Sequence, residues 1–328
     1  MDKFVEDIYQ YRRAVVLLTA AKTGIFDYFV KHEQTTLQEI SRFFSWNSRG
    51  IEIILNALCA LGYLNKKNDN YRLSDSLRTT VNQKEFPLLK EWLLHEWRLL
   101  TRWVHLPEVL ESGLPFREPE KNTVHRNHRN FIYSMAHREQ ENTRVLLEKI
   151  DLSGYKKLLD LGGGPGLFSI AFVEKYSDLK ATVFDAPETE NIAQEFFKKS
   201  RVPTRLQFRG GDFRNDDLGG PFDVVLLSSI LHIYSPEENI RLLHKVYDSM
   251  LPGGKIIIRD FLLNKNKTGP LMGNLFAVNM LINTENGNAY TYREMKTWLK
   301  ESGFVEIKKA YLQGRMLLME GIKLADSL

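Results

Sequence analysis

Apolar residues recur along this chain with two different periods, and the change between them divides it. Up to about residue 150 the spacing is helical. Residues 4–23 and 24–29 read as helices, and Thr36-Leu37-Gln38-Glu39 is a capping box opening a short helix to about Phe44. Residues 49–61 place Ile51, Ile54, Leu55, Leu58 and Leu61 on one face, and Gly62 ends that run. Two short segments, 63–66 and 71–74, then flank Asn68-Asp69-Asn70 as a hairpin. The stretch that follows is helical and rich in aromatic residues (Trp92, Trp97, Trp103, Phe131, Tyr133), a spacing that suits core or interface better than a ligand box. Pro107 and Gly113-Leu114-Pro115 break it in the middle.

After residue 156 short apolar runs take over. Residues 157–161, 180–185, 205–208, 222–227 and 255–260 read as five strands separated by helical patterns, which predicts a parallel sheet covered on both faces. One intervening helix has a clear start, with Ser235 as N-cap, Pro236 at its first position and Glu238 closing a capping box; it stops at Pro252-Gly253-Gly254. The tail, 305–311 and 316–322 across Gln313-Gly314, reads as a hairpin forming an antiparallel edge. The expected division is a first domain over 1–103 and a second over 104–328, with 104–150 as a helical connector.

With 328 residues the chain suits two domains, and its 43% hydrophobic and 26% charged content is ordinary for a globular protein. A net charge of +4 is too small an excess to argue for a nucleic-acid partner. One cysteine, Cys59, rules out an internal disulfide framework and suits a reducing cytoplasm; within its apolar helix it reads as a small core residue. Asp2, Lys3, Glu6 and Asp7 interrupt any leader-like run, and no uncharged apolar stretch approaches the roughly 20 residues of a membrane span. The expectation is a soluble, cytoplasmic protein with no membrane partner.

The chemistry concentrates where strands end. At Lys157-Leu158-Leu159-Asp160-Leu161-Gly162-Gly163-Gly164-Pro165-Gly166 a buried strand runs into a glycine turn that opens a helix at about Pro165. The dinucleotide spacing Gly-x-Gly-x-x-Gly fails, because counting from Gly162 its last position is Leu167; Asp-x-Gly-x-Gly-x-Gly, from Asp160 to Gly166, is met. That second pattern is the one of S-adenosylmethionine (SAM) methyltransferases, so Gly162 and Gly164 are candidate cofactor contacts. Asp185 ends the next strand at the distance from the turn where an acid accepts hydrogen bonds from ribose hydroxyls; its plainer role is a charge at a helix start. After the third strand, Asp212 can bond an adenine amino group and Phe213 can cover the ring. His125-Arg126-Asn127-His128 has metal-like spacing but no third ligand nearby, and reads as a solvated loop; no metal is expected.

Asp160–Gly166, Phe184-Asp185-Ala186-Pro187, Gly211-Asp212-Phe213, Ile230-Leu231-His232 and the turn before Lys255 occur in the order found in SAM-dependent O-methyltransferases. The chain resembles that family, which includes plant caffeate- and chalcone-type enzymes, acetylserotonin methyltransferases and bacterial relatives acting on polyketides and tetrapyrroles. The resemblance implies an α/β fold: a class I SAM-methyltransferase Rossmann-like domain with an antiparallel C-terminal hairpin, plus an N-terminal all-helical winged-helix domain that makes a homodimer. In a winged helix the obvious use is DNA binding, but 49–61 carries only Arg49 as a cation, so no nucleic-acid partner is expected. The resemblance further implies His232 as general base, Asp260 as the acid orienting it, and Ser228 at a cofactor contact where plant members have a lysine. Phe131 and Met135 would lie over the methyl-donor pocket, and a helix carrying Phe276 and Met280, with Asn283 and Thr284 at its polar end, would line the acceptor pocket. A second flanking acid of the plant enzymes is missing, since spacing puts Ala289 there.

Methyl transfer from a sulfonium needs alignment, worth up to about 7–11 kcal/mol, and an ionised acceptor. A phenol ionises near pH 10, so a base beside it helps by about 10²–10⁴-fold. The expected activity is methylation of a hydroxyl on an aromatic or polyketide-like small molecule, with SAM converted to S-adenosylhomocysteine. The alternatives are C-methylation of an aromatic or tetrapyrrole ring and, in a different class, a winged-helix regulator with a SAM-sensing domain.

Overall fold

The computed structural model describes residues 2–80, 86–118, 124–312 and 316–325. These fall into two compact units, Met1–Thr101 and Arg102–Leu328.

The first unit opens with helices α1 (Asp2–Thr23) and α2 (Ile25–Lys31), then strand β1 (Thr35–Thr36), α3 (Leu37–Phe44), α4 (Ser48–Ala60), β2 (Leu64–Lys67), β3 (Asn70–Leu73) and α5 (Asp75–Thr80), and reaches into α6 (Phe86–Trp103). The capping box forms as expected: Glu39 N donates to Thr36 Oγ1 and Thr36 N to Glu39 Oε2. Ile51, Leu55 and Leu58 of α4 are buried in one cluster with Ile25, Phe26, Phe29 and Tyr71, against which the half-buried Cys59 packs. The unit is not all-helical. β-Branched Thr35 and Thr36 add a third strand to the hairpin, giving an antiparallel sheet in the order β1-β3-β2.

The second unit continues with α7 (Leu106–Ser112), α8 (Val124–Lys149), β4 (Lys157–Leu161), α9 (Leu167–Lys175), β5 (Lys180–Asp185), α10 (Glu190–Phe197), β6 (Leu206–Gly210), β7 (Phe222–Ser228), α11 (Pro236–Asp248), β8 (Met250–Leu263), α12 (Leu271–Asn283), β9 (Tyr290–Thr291), α13 (Tyr292–Glu301), β10 (Phe304–Tyr311) and β11 (Met316–Lys323). Strands β8, β7, β4, β5 and β6 pair in parallel, and β11 and β10 add antiparallel strands at the β8 side. The 313–314 turn of the expected hairpin lies outside the described residues. Two apolar clusters fill the two faces of the sheet, one around Leu159, Leu227 and Ile258, the other around Leu158, Val183 and Ile257.

Two helix boundaries in the second unit differ from those expected. Helix α9 begins at Leu167 rather than Pro165, because Gly166 adopts φ +76° and its N–H closes a turn on Gly163 O. Helix α11 ends at Asp248, since Met250 already pairs with Phe222 and draws 250–254 into the strand. β4 has β5 on one side and β7 on the other, so the chain reverses direction of travel there, and the carboxyl ends of β4 and β7 border the crevice where open α/β sheets bind ligands.

Candidate active site

The glycine turn sits at that crevice. Gly162 and Gly164 adopt φ +68° and +55°, the left-handed region that favours glycine, and a Cβ on Gly162 would fall 2.2 Å from Ile230 Cδ1. Gly162 N–H donates to Phe184 O, and Gly164 N–H donates to Asp185 Oδ2 at 2.7 Å. Asp185 Oδ1 takes the Ala186 N–H at 2.7 Å. Burial raises this carboxyl above its ordinary range, while the backbone donors and His128 pull it back. Oδ2 keeps a lone pair for a further donor, which fits a ribose hydroxyl.

Beneath the turn lies Asp160, fully buried. Its Oδ2 accepts from Ser169 Oγ at 2.7 Å, and Oδ1 has no partner among the described residues. Burial pushes its carboxyl up to about 7, Ser169 acting the other way. A Cβ on Gly163 would land 2.5 Å from this carboxyl, so the acid supports the turn at close range.

Phe213 packs edge-on against Phe184 and Tyr234 and lies near the Gly162 position. Asp212 is more occupied than the sequence suggested. Arg214 meets it with both Nε and Nη2 at 2.9 Å, and Arg214 N and Asn215 Nδ2 also donate to it, which holds its carboxyl below the ordinary range. Ser228, at the end of β7, accepts at 3.0 Å from Arg259 Nη1. Arg259 is buried, pairs with Glu139 of α8 (Nη2 to Oε2, 2.9 Å) and lies over the Phe168 ring. Neither Arg259 nor Glu139 was foreseen, although a cation directly after the run Ile256-Ile257-Ile258, within the same strand, is the kind of buried charge that demands a partner.

Ser229, with φ +60°, turns the chain out of β7 into a short 3₁₀ turn, Leu231–Ile233. Buried Asn239 of α11 ties that turn down by donating to Leu231 O. His232 sits in it, 7% exposed, with Nδ1 2.7 Å from Asp260 Oδ1. Asp260 is 2% exposed and also accepts from His232 N and Phe261 N. A carboxylate accepts, so Nδ1 carries the proton and Nε2 of the neutral ring is the acceptor. Asn288 N–H donates to His232 O, which lays the Ala289 segment against this turn; the methyl of Ala289 is buried and offers no second acid.

Phe276 stands edge-on to His232 at 4.7 Å between ring centroids and stacks on Phe261 at 3.6 Å. Met280, one turn on, is buried. Asn283 and Thr284 are engaged locally: Asn283 Nδ2 donates to Asn279 and its Oδ1 accepts from Arg102 Nε, while Thr284 Oγ1 donates to Met280 O and accepts from Gly287 N. They cap α12 and fix the loop after it. Phe131 and Met135 lie on α8, exposed and half-buried, with Glu139 one turn further along the same face. The side chains of His125 and Arg126 lie outside the described residues. Among the described residues no group of three His, Cys, Asp or Glu could hold a metal, and no helix is long and apolar enough to cross a membrane.

A glycine turn over a buried acid, a carboxylate at the end of the next strand and a histidine–aspartate pair beside an aromatic wall thus gather at the carboxyl edge of the parallel strands. Residues 113–305 match the O-methyltransferase domain model, and the chain belongs to that SAM-dependent family. Residues 13–66 match the AprA N-terminal domain. The chain is 28% identical to the 3-hydroxy-5-methyl-1-naphthoate 3-O-methyltransferase of Streptomyces sahachiroi, over 89% of this chain and 86% of that protein. Among solved structures, PigF with S-adenosylhomocysteine superposes with a TM-score of 0.88 (22% identity, 98% of this chain and 99% of that one). Human N-acetylserotonin methyltransferase in complex with SAM gives 0.86 (24% identity, 98% and 97%).

Proposed function

We propose that this protein transfers the methyl group of SAM to a hydroxyl of a flat aromatic or polyketide-like small molecule. The observation that carries the reading is the 2.7 Å contact of His232 Nδ1 with buried Asp260, beside the Phe261–Phe276 stack. When bound, SAM supplies an electrophilic methyl on a sulfonium. The turn at Gly162–Gly164, Asp185 and Phe213 would hold it, and Ser228, its oxygen already accepting from Arg259, has its own proton free to donate to a cofactor oxygen. Asp212, saturated by Arg214 and Asn215, would reach adenine only by giving up one of those donors.

His232 takes the acceptor's proton at Nε2 and becomes an imidazolium, and Asp260 stabilises that charge through Nδ1 and keeps the ring in the correct tautomer. Phe276 and Phe261 present flat apolar surface to the acceptor and exclude water, while Met280 backs them. We assign Phe131 and Met135 to the covering face of α8, and Asn283 and Thr284 to shaping the end of the acceptor wall rather than touching the acceptor. Chemistry of the relatives supports an aromatic hydroxyl: the Streptomyces protein is named for a hydroxynaphthoate.

The working form is a homodimer built through residues 1–103. Phe4, Val5, Ile8, Tyr9 and Tyr11 of α1 are exposed, an apolar strip suited to a second copy. A single cysteine suits a reducing compartment, and we place the enzyme in the cytoplasm. Native mass spectrometry with added S-adenosylhomocysteine tests these assignments together. Twice the chain mass with two ligands is expected; a bare monomer that takes up none would overturn them.

A further inference from the structure

His128 has no part in the chemistry above. Sequence spacing puts it in a solvated loop, yet it lies on α8, half-buried, with Nε2 3.0 Å from Thr189 Oγ1. Thr189 is fully buried at the end of the short 3₁₀ turn after β5, and its hydroxyl lies 3.4 Å from Asp185 Oδ1. Valence sets the directions. A hydroxyl has one proton and an ionised carboxylate only accepts, so Thr189 donates to Asp185 and accepts from the Nε2–H of His128. Oδ1 is thereby held by Thr189 and by Ala186 N–H, while Oδ2, bonded to Gly164 N–H, retains its outward lone pair. The two backbone N–H groups hold one oxygen each, and Thr189, oriented by His128, adds a longer side-chain contact that further restrains rotation of the carboxylate.

We propose that His128 is a positioning residue for the cofactor: acting through Thr189, it reinforces the backbone bonds that keep the Asp185 carboxylate presenting Oδ2 to a ribose hydroxyl. The inference rests on the reading of Asp185 as the ribose acceptor. The three groups come from α8, the 3₁₀ turn and β5, so the helix that covers the donor pocket is also coupled to the base of it.

Calorimetric titration of the full chain with S-adenosylhomocysteine and with its 2′,3′-dideoxy analogue tests this. His128→Ala and Thr189→Val are each expected to weaken S-adenosylhomocysteine by about 3- to 10-fold, the range of one lost hydrogen bond. The double variant should be no weaker than the poorer single one, because both cut the same chain. Affinity for the dideoxy analogue should not change. His128→Gln, whose amide N–H reaches the same hydroxyl, should restore binding to within about twofold. Equal losses for both ligands, no rescue by glutamine, or unaltered binding in His128→Ala would overturn the inference. If Thr189→Val does not fold, the two His128 variants decide alone. A wild-type chain that binds neither ligand would instead sink the cofactor reading, and this inference with it.

Discussion

Replacing Asp260 by asparagine removes one charge and almost no volume, and so isolates what that charge does for His232. Oδ1 accepts both His232 Nδ1–H and Phe261 N–H at 2.7 Å, whereas Oδ2 has only the 3.3 Å contact with His232 N. An asparagine therefore settles with its oxygen at the Oδ1 position, keeping the ring's tautomer and losing the weaker bond. What disappears is the charge assistance to the imidazolium that forms as the acceptor ionises. Hydrogen bonds to charged groups contribute about 1.5–3 kcal/mol against about 0.5–1.5 for neutral ones, so about 1–1.5 kcal/mol is lost, and both partners are nearly excluded from water, so the figure needs little reduction for screening. Converted at about 1.4 kcal/mol per decade, Asp260→Asn should lower kcat by about 5- to 12-fold. The assay is methylation of a panel of naphthols whose hydroxyl pKa values run from about 7 to 10. Acceptors that are already ionised at the assay pH need no base, so the loss should be largest for the least acidic naphthol and nearly vanish for the most acidic. His232→Ala should follow the same trend with a larger loss, about 10²–10⁴-fold, and lose most at low pH. An equal loss across the panel would refute the base assignment and leave alignment as the pair's only contribution.

Three further outcomes follow from the geometry. Asp160 favours its neutral form in the fold, with a carboxyl near 7 against about 4 in the unfolded chain, so ionisation costs stability that is absent below pH 4, grows between 4 and 7 and levels off above 7 at about 4 kcal/mol as an upper figure. Thermal melts of Asp160→Asn should gain on the wild type as pH rises from 5 to 8; a widening deficit over that range would contradict the burial argument. Gly162→Ala must place a methyl 2.2 Å from Ile230 Cδ1 at φ +68°, and should lose about 1–3 kcal/mol of stability in denaturant titrations together with S-adenosylhomocysteine binding. Arg259→Met strands Glu139 without its buried partner and should cost about 3–5 kcal/mol, with Glu139→Gln in the same chain recovering part of it; no recovery would show the pair to be energetically idle.

Much of this site could be read before folding, and the residues explain why. Asp160, Gly162, Gly164 and Asp185 sit where strands end, and strand ends are marked by apolar runs stopping at glycine or acid, a local signal; His232 carries no such mark and is picked out by the resemblance alone. The two capping boxes at Thr36 and Ser235 are local too, and both form. What escaped were relations across the sheet and between helices. Arg259 finds Glu139 from 120 residues away, Thr189 receives His128 across 61, and Asn283 is claimed by Arg102 across 181. No periodicity encodes such pairings. Asp212 was read as a free ligand contact because its partner, Arg214 two residues on, looks like any exposed cation until the turn brings the two together. The N-terminal third strand was missed for a related reason: two threonines are too short a run to call a strand until β3 offers them an edge.

The most direct test of the central reading is to incubate the purified chain with methyl-labelled SAM and the naphthol panel, and to locate the transferred methyl by NMR. The expected result is a methyl ether on the hydroxyl, formed at a rate that falls in His232→Ala. A methyl on ring carbon, or transfer indifferent to His232, would contradict it.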